Sequence, residues 1–187
     1  MLSKRLTRIA LAVLALSALV ASGAALADFN SISDGNRTRG PLDIRAASAG
    51  HASAGKLVHT VVTQRRIPRT RRAAFCVRLY FRRPATHGST FRPVDRFICA
   101  NGRNTRTHAT DGAGRRVGFV RVRRSGNVWS VRFSKRVVRS RTYWWAVDTF
   151  YNPSRGVCSG RAGCVDSAPN GRRTVKHHLA SSPRFTG

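Results

Sequence analysis

Arginine side chains are the groups in this chain most able to do chemistry. Lysine and arginine together number 35 against seven acidic residues, giving a formal net charge of +28. Glutamate is absent and lysine occurs only at Lys4, Lys56, Lys135 and Lys176, so nearly all of the positive charge is guanidinium. This planar group binds phosphate or carboxylate oxygens through two parallel hydrogen bonds. The composition therefore predicts polyanionic partners.

The arginines are grouped along the chain within residues 65–72, 115–124 and 132–141. Several alternate with apolar residues, and on a β-strand this alternation places them on one face of the sheet. Such a surface would attract teichoic acid, acidic polysaccharide, nucleic acid or the anionic lipid of an envelope, and would release counterions on binding. The predicted polyanion-binding residues are Arg65, Arg66, Arg69, Arg121, Arg123, Arg132 and Arg136.

The positive charge is also consistent with codon bias. A GC-rich genome favours arginine and would scatter it over an ordinary solvated surface, although this bias does not by itself remove glutamate. The leading hypothesis is a non-enzymatic, polyanion-binding protein. The alternatives are a secreted nuclease and a structural envelope protein without a dedicated ligand.

Catalytic candidates are sparse. His59 and His108, flanked by arginines, would suit a ribonuclease-like acid–base pair, but no spacing singles them out. Phosphate-binding glycine loops, nucleophile elbows and paired-histidine zinc motifs do not occur in the sequence. The prediction is therefore a protein that is not an enzyme and needs no cofactor.

Residues 1–27 have the pattern of an export signal. Lys4, Arg5 and Arg8 form a cationic start, residues 9–20 are apolar or small, and Ala25-Leu26-Ala27 is a small-x-small cleavage site. A retained membrane anchor is the alternative. We expect a secreted or envelope-associated bacterial protein.

The four cysteines, in an exported chain, predict two disulfides. Cys158 and Cys164 bracket a short glycine-containing loop, which favours local pairing. Cys76 and Cys99 lie in two strand-like segments that would be neighbours. The predicted pairs are Cys76 with Cys99 and Cys158 with Cys164.

Alternation with a period of two residues dominates the remaining pattern, and no helical repeat is evident. Segments 75–81, 117–122 and 128–133 alternate clearly, and Ser125-Gly126-Asn127 supplies turn chemistry for a hairpin between the last two. Segment 143–151 is apolar on both faces, which is typical of a central strand, although an exposed aromatic platform is the alternative. About eight strands predict an antiparallel β-sandwich of jelly-roll or immunoglobulin-like type. The expected organisation is a flexible segment at 28–40, one domain at 41–179 and a flexible tail at 180–187.

The segment from Asp34 to Arg45, followed by Leu57-Val58-His59-Thr60, resembles a family of uncharacterised secreted bacterial proteins whose corresponding segment reads roughly D-x-N-D-T-x-G-x-L-D-I-R. Residues 166–170, Asp-Ser-Ala-Pro-Asn, also match. The resemblance implies a secreted β-sandwich and no particular activity. Arg37 stands where that family usually has an acid.

Three oxygen donors in this segment, Asp34, Asn36 and Asp43, are of the kind that calcium prefers. The lost acid and the surrounding arginines weaken such a site. Turn-forming roles for these side chains are the favoured interpretation, with calcium as the alternative.

Overall fold

The computed structural model describes residues 30–35, 41–53, 55–84, 93–151, 164–170 and 173–179. In these ranges the regular structure is almost entirely β, apart from a single-turn 3-10 helix at Lys135–Val137. No helix in the described part of the chain is long and apolar enough to cross a bilayer. The strands are β1 (Asn30–Ser33), β2 (Ile44–Ser53), β3 (Lys56–Thr63), β4 (Ala73–Tyr80), β5 (Arg96–Asn101), β6 (Arg106–Asp111), β7 (Arg116–Ser125), β8 (Val128–Ser134), β9 (Thr142–Tyr151), β10 (Cys164–Ala168) and β11 (Val175–His178).

All of the strand pairs among the described residues are antiparallel, and all strands except β11 form one hydrogen-bonded path. Its order is β1-β2-β3-β8-β7-β6-β5-β4-β9-β10, and β11 pairs with β9 outside this path. The sheet curls until its ends approach each other. The backbone N–H of Ile44 on β2 donates to the carboxylate of Asp166 on β10 at 2.6 Å, and the hydroxyl of Thr149 on β9 donates to the carbonyl of Leu42 at 2.6 Å.

The core lies on the concave side of this sheet because alternate residues of the strands point inward. On β4 the buried residues are Phe75, Val77 and Leu79, as their spacing predicts. Trp129 on β8 and Trp145 on β9 are the largest fully buried side chains. Burying aromatic and aliphatic side chains from most of the strands is the main source of stability of the described sheet.

Tyr143 and Trp145 belong to this core, so their face of the segment 143–151 is covered, whereas Trp144 is half-buried on the other face. β9 pairs with β4 on one side and with β10 and β11 on the other. Only Phe150 on this strand is exposed. The aromatic platform is therefore not formed by Tyr143 or Trp145.

The all-β, antiparallel fold predicted from the sequence is confirmed, while the two-layer sandwich remains a prediction. The described residues contain eleven strands against an expected number of about eight. The additional strands β1, β6 and β10 are short and nearly lack apolar alternation; β6, for example, buries only Ala109. These strands form because their neighbours offer free backbone groups, which local pattern does not reveal. β1 also lies inside the segment predicted to be flexible.

Cys76 on β4 and Cys99 on β5 are direct cross-strand partners and form a disulfide, as predicted. The predicted pairing of Cys158 with Cys164 lies outside the described residues, since Cys158 and the side chain of Cys164 are not among them.

The predicted hairpin between β7 and β8 is also present. Its turn places Gly126 at φ +58°, in the left-handed region that favours glycine.

Candidate anion-binding surface

Three arginines lie side by side on the convex face of the sheet. Arg121 on β7 is the direct partner of Arg106 on β6 and of Arg132 on β8. All three are exposed, and Arg121 and Arg132 alternate along their strands with the buried residues Val120, Val122 and Val131. Because neighbouring strands are about 4.8 Å apart, the three Cα positions span roughly 10 Å. We call these three residues the arginine row.

Like charges placed directly opposite each other on neighbouring strands destabilise a sheet. No residue of the arginine row forms a salt bridge with another described residue. The row therefore presents uncompensated positive charge to solvent.

Arg123 extends the row along β7. It lies two residues after Arg121 on the same face, opposite Ser130 of β8. In the other direction along β7 lies Phe119, which is 49% exposed and meets the ring of His108 edge-on with the ring centres 5.9 Å apart. The positive surface is thus bordered by an exposed aromatic side chain.

The acidic residues are used elsewhere in the described structure. Asp148 forms an ion pair with Arg78 at 2.7 Å, and Asp111 pairs with Arg115 at 2.8 Å in the β6–β7 turn. Asp95 accepts from the backbone N–H of Phe81, and Asp166 from that of Ile44. These carboxylates have partners at turns, at strand ends or, for Asp148, between β4 and β9, so they do not neutralise the arginine row.

A second positive feature lies at the end of the sheet formed by the β5–β6 turn, the end of β7 and the loop after β3. Here a cleft of about 540 Å³ opens to solvent. Its lining contains no acidic residue, and three of its side chains are arginines, which define the arginine cleft: Arg69, Arg103 and Arg124. Gly102, Asn104, Thr105 and Val122 complete the lining.

Gly102 determines how closely the two loops of the arginine cleft approach. Any Cβ at this position would overlap the backbone carbonyls of Pro68 and Thr70. The backbone N–H of Gly102 donates to Ala73 at 2.8 Å, and its carbonyl accepts from Nη1 of Arg124. Glycine is therefore required where the loop carrying Arg69 crosses the β5–β6 turn.

Arg124 differs from the exposed arginines because its side chain is partly buried at the end of β7. Burial lowers the pKa of Arg124, and the positive charges of Arg69 and Arg66 lower it further. The lining of the cleft contains no carboxylate that would offset this positive charge.

The predicted binding residues fall into three places. Arg121, Arg123 and Arg132 share the convex face, as the alternation predicted. Arg66 and Arg69 interact electrostatically with Arg124, and Arg65 is exposed in the same loop. Arg136 is exposed in the 3-10 helix that follows β8, at the opposite end of that strand from the β7–β8 turn, so it does not join the cleft.

Sequence reasoning left out Arg103, Arg106 and Arg124 from the binding set. Arg106 was missed because β6 has too little apolar alternation to be recognised as a strand. Arg103 and Arg124 are brought together by the crossing of loops at Gly102. The signal that could have found them was the Asn101-Gly102-Arg103-Asn104 turn sequence, which places an arginine at a tight reversal.

The proposed histidine pair for catalysis is not brought together. His59 is fully buried on the inner face of β3, where its Nε2 lies 3.0 Å from the hydroxyl of Tyr143. His108 is exposed on the outer face of β6. Burial, reinforced by neighbouring His177, lowers the pKa of His59 to about 3. A neutral core histidine of this kind is structural.

Of the possible calcium ligands, Asn36 lies outside the described residues. The carboxylate of Asp34 accepts from the backbone of Gly35 and from the side chain of Asn170. Asp43 is buried beside Asp166, whose pKa is raised by burial and by Asp43 itself. The described residues contain no cluster of three or more metal-binding side chains. Calcium therefore stays the alternative interpretation of this segment, and turn-forming roles stay the prediction.

Compared with known proteins, the chain matches no protein-family model and no curated protein.

Proposed function

We propose that this protein is an exported, strongly basic, non-enzymatic protein that associates electrostatically with anionic polymers. The observation that carries the proposal is the arginine row, in which Arg106, Arg121 and Arg132 lie in register on three neighbouring strands. Arg123 adds a further positive group on the same face. The proposed ligand runs across or along this face.

The energetics favour a bound anion over an empty surface. Aligned guanidinium groups repel one another in the free protein, and each can bind one anionic group through two hydrogen bonds. A polymer supplies several such groups and loses its condensed counterions when it binds. The cost of the aligned charges is thus offset when the ligand is present.

The proposed setting is outside the cytosol, either secreted or peripherally attached to an anionic envelope. The leader-like residues 1–27 support export. The disulfide between Cys76 and Cys99 is typical of an oxidising compartment. We further propose that the curled sheet functions as a sandwich-like scaffold whose apolar interior holds the convex face rigid.

Teichoic acid, acidic polysaccharide and nucleic acid share the repeated negative charge that the arginine row requires. The guanidinium groups of the row recognise charge and do not read a sequence of bases or sugars. Exposed Phe119 beside Arg121 favours polymers with rings that stack, such as single-stranded nucleic acid. Comparing the affinity for heparin with the affinity for oligo(dT) therefore shows which kind of polymer the protein prefers.

The test is replacement of Arg121, Arg123 and Arg132 together by glutamine. Binding of the mature protein to heparin and to oligo(dT) is measured by fluorescence anisotropy between 50 and 300 mM NaCl. We expect weaker binding, and for the single-stranded DNA a slope of log K against log salt that is flatter by about 2, since each lost contact contributes roughly 0.7.

A matched control removes the same charge from scattered exposed sites. Arg45, Arg82 and Arg173 lie on or near β2, β4 and β11, away from the arginine row. Their replacement by glutamine should change affinity and slope much less. Equal effects of the two triple variants would contradict a defined surface and support charge without a dedicated ligand.

A further inference from the structure

The arginine cleft is a site distinct from the arginine row. Its side chains approach one space from three elements: Arg69 from the loop after β3, Arg103 from the β5–β6 turn and Arg124 from the end of β7. The row, in contrast, is a flat strip on the convex face. A flat strip suits a passing polymer, whereas a concave site suits a single compact group.

The position of these arginines depends on the backbone. Arg124 is held through its contact with the carbonyl of Gly102, and the loop carrying Arg69 is held against the same glycine. The loop is anchored by the N–H of Ile67, which donates to Gly126 at 3.1 Å, and the β5–β6 turn by the N–H of Val122, which donates to Thr105 at 2.9 Å. Backbone contacts of the fold therefore bring the three positive charges of the arginine cleft close together.

The lining indicates which anion fits. Three guanidinium groups offer many N–H donors, and Thr105 and Asn104 add a hydroxyl and an amide. A carboxylate has two oxygens on one plane, but a phosphate group carries its oxygens tetrahedrally and can accept from donors on several sides. The volume of about 540 Å³ leaves room for a substituent on that phosphate.

We propose that the arginine cleft binds a phosphate monoester group, whether on a small molecule or at the end of a polymer. Arg69 and Arg103 contact the phosphate oxygens from opposite loops, and Arg124 provides charge from the base of the cleft. The site does not depend on the arginine row, so the proposed polymer binding and the phosphate site stand or fall separately.

The direct test titrates the mature protein with sodium phosphate at fixed ionic strength and follows backbone amides by NMR. We expect saturable shifts concentrated in residues 102–105 and around Arg69, and at least fivefold weaker binding of acetate. Uniform shifts that grow linearly with phosphate would overturn the proposal, because they would show only general screening.

Paired variants identify the site. Arg69→Gln with Arg103→Gln changes two exposed side chains of the cleft and should weaken phosphate binding at least tenfold. Arg71→Gln with Arg72→Gln removes the same charge from the same loop outside the cleft lining, and should change binding less than twofold. Equal weakening by both pairs would overturn the site.

A further comparison separates a small phosphate ester from a polymer end. Oligo(dT) with a 5′-phosphate is compared with the same oligonucleotide carrying a 5′-hydroxyl. Preference for the phosphorylated end that disappears in the Arg69 and Arg103 variant supports use of the cleft by polymers. If inorganic phosphate binds but the two ends bind alike, the polymer-end form of the proposal is wrong. The Arg121, Arg123 and Arg132 variant should retain phosphate binding.

Discussion

Acidic and basic residues have different roles in this protein. Most of the described aspartates accept hydrogen bonds from backbone groups or pair with arginine within the fold, as Asp148 does with Arg78. The arginine row and Arg123 have no such partner among the described residues. The chain thus uses its few acids to stabilise the fold and leaves its guanidinium groups available to external anions.

His59 makes the stability of the core sensitive to acid. Its pKa is lowered to about 3 in the folded protein, against about 6.5 when unfolded, because burial excludes water and His177 is nearby. The contribution of neutral His59 to the free energy of unfolding is therefore fully present above pH 6.5, and it is lost as the pH falls towards 3. The loss approaches roughly 4–5 kcal/mol at the acid limit.

We expect the unfolding free energy, measured by urea denaturation from pH 7 to pH 4.5, to fall more steeply in the parent protein than in His59→Gln. The variant removes the titrating group and retains a polar side chain. Tyr143→Phe removes the hydroxyl near His59 but keeps the imidazole, so it should retain the steep pH dependence. Parallel pH profiles for the parent and His59→Gln would refute this account.

At the scale of elements, the hairpin of β7 and β8 together with β6 decides where charge accumulates. Their register aligns Arg106, Arg121 and Arg132, and a slip of one residue would turn these side chains into the core. The buried residues Val122, Val131 and Phe133 hold the register. Apolar packing on one face therefore positions the charges on the other.

This alignment predicts a trade-off between stability and binding. Arg121→Glu places an acid directly between two arginines, so it should raise the unfolding free energy by roughly 0.5–1 kcal/mol while weakening heparin binding. Arg123→Glu is the matched control, because its partner on β8 is Ser130. It should weaken binding with a smaller gain in stability.

Thermal unfolding and heparin affinity of both variants, measured at 50 mM NaCl, check this prediction. Equal stability changes in Arg121→Glu and Arg123→Glu would show that the cross-strand repulsion is not significant.

For the whole molecule, the formal net charge of +28 sets the dependence of stability on salt. Charges of one sign repel one another in the compact state, and salt screens this repulsion, since the Debye length falls from about 30 Å at 0.01 M to about 8 Å at 0.15 M. Bound anions would act in the same direction.

The melting temperature should therefore rise when NaCl increases from 10 to 150 mM, as measured by circular dichroism. The rise should be smaller in the variant with glutamine at Arg121, Arg123 and Arg132, because part of the repulsion is already removed. A melting temperature that is constant or falls over this range would contradict a significant contribution of self-repulsion.

Much of the fold was predictable because alternation of apolar and polar residues reports local burial. Phe75, Val77 and Leu79 marked β4, and Ser125-Gly126-Asn127 marked the hairpin turn. The same logic placed Arg121, Arg123 and Arg132 on one face. It missed Arg106, since a strand such as β6, with only Ala109 buried, carries almost no local signal.

The amino-acid sequence by itself determined the class of structure, the excess of guanidinium and the alternation that exposes it, because these depend on residue type and near neighbours along the chain. Only the tertiary structure decided which arginines lie close together. Arg106 lies beside Arg121 because their strands pair, and Arg69 lies near Arg124 because two loops cross at Gly102. Such contacts join residues distant in sequence, and they follow from closing the sheet around its core.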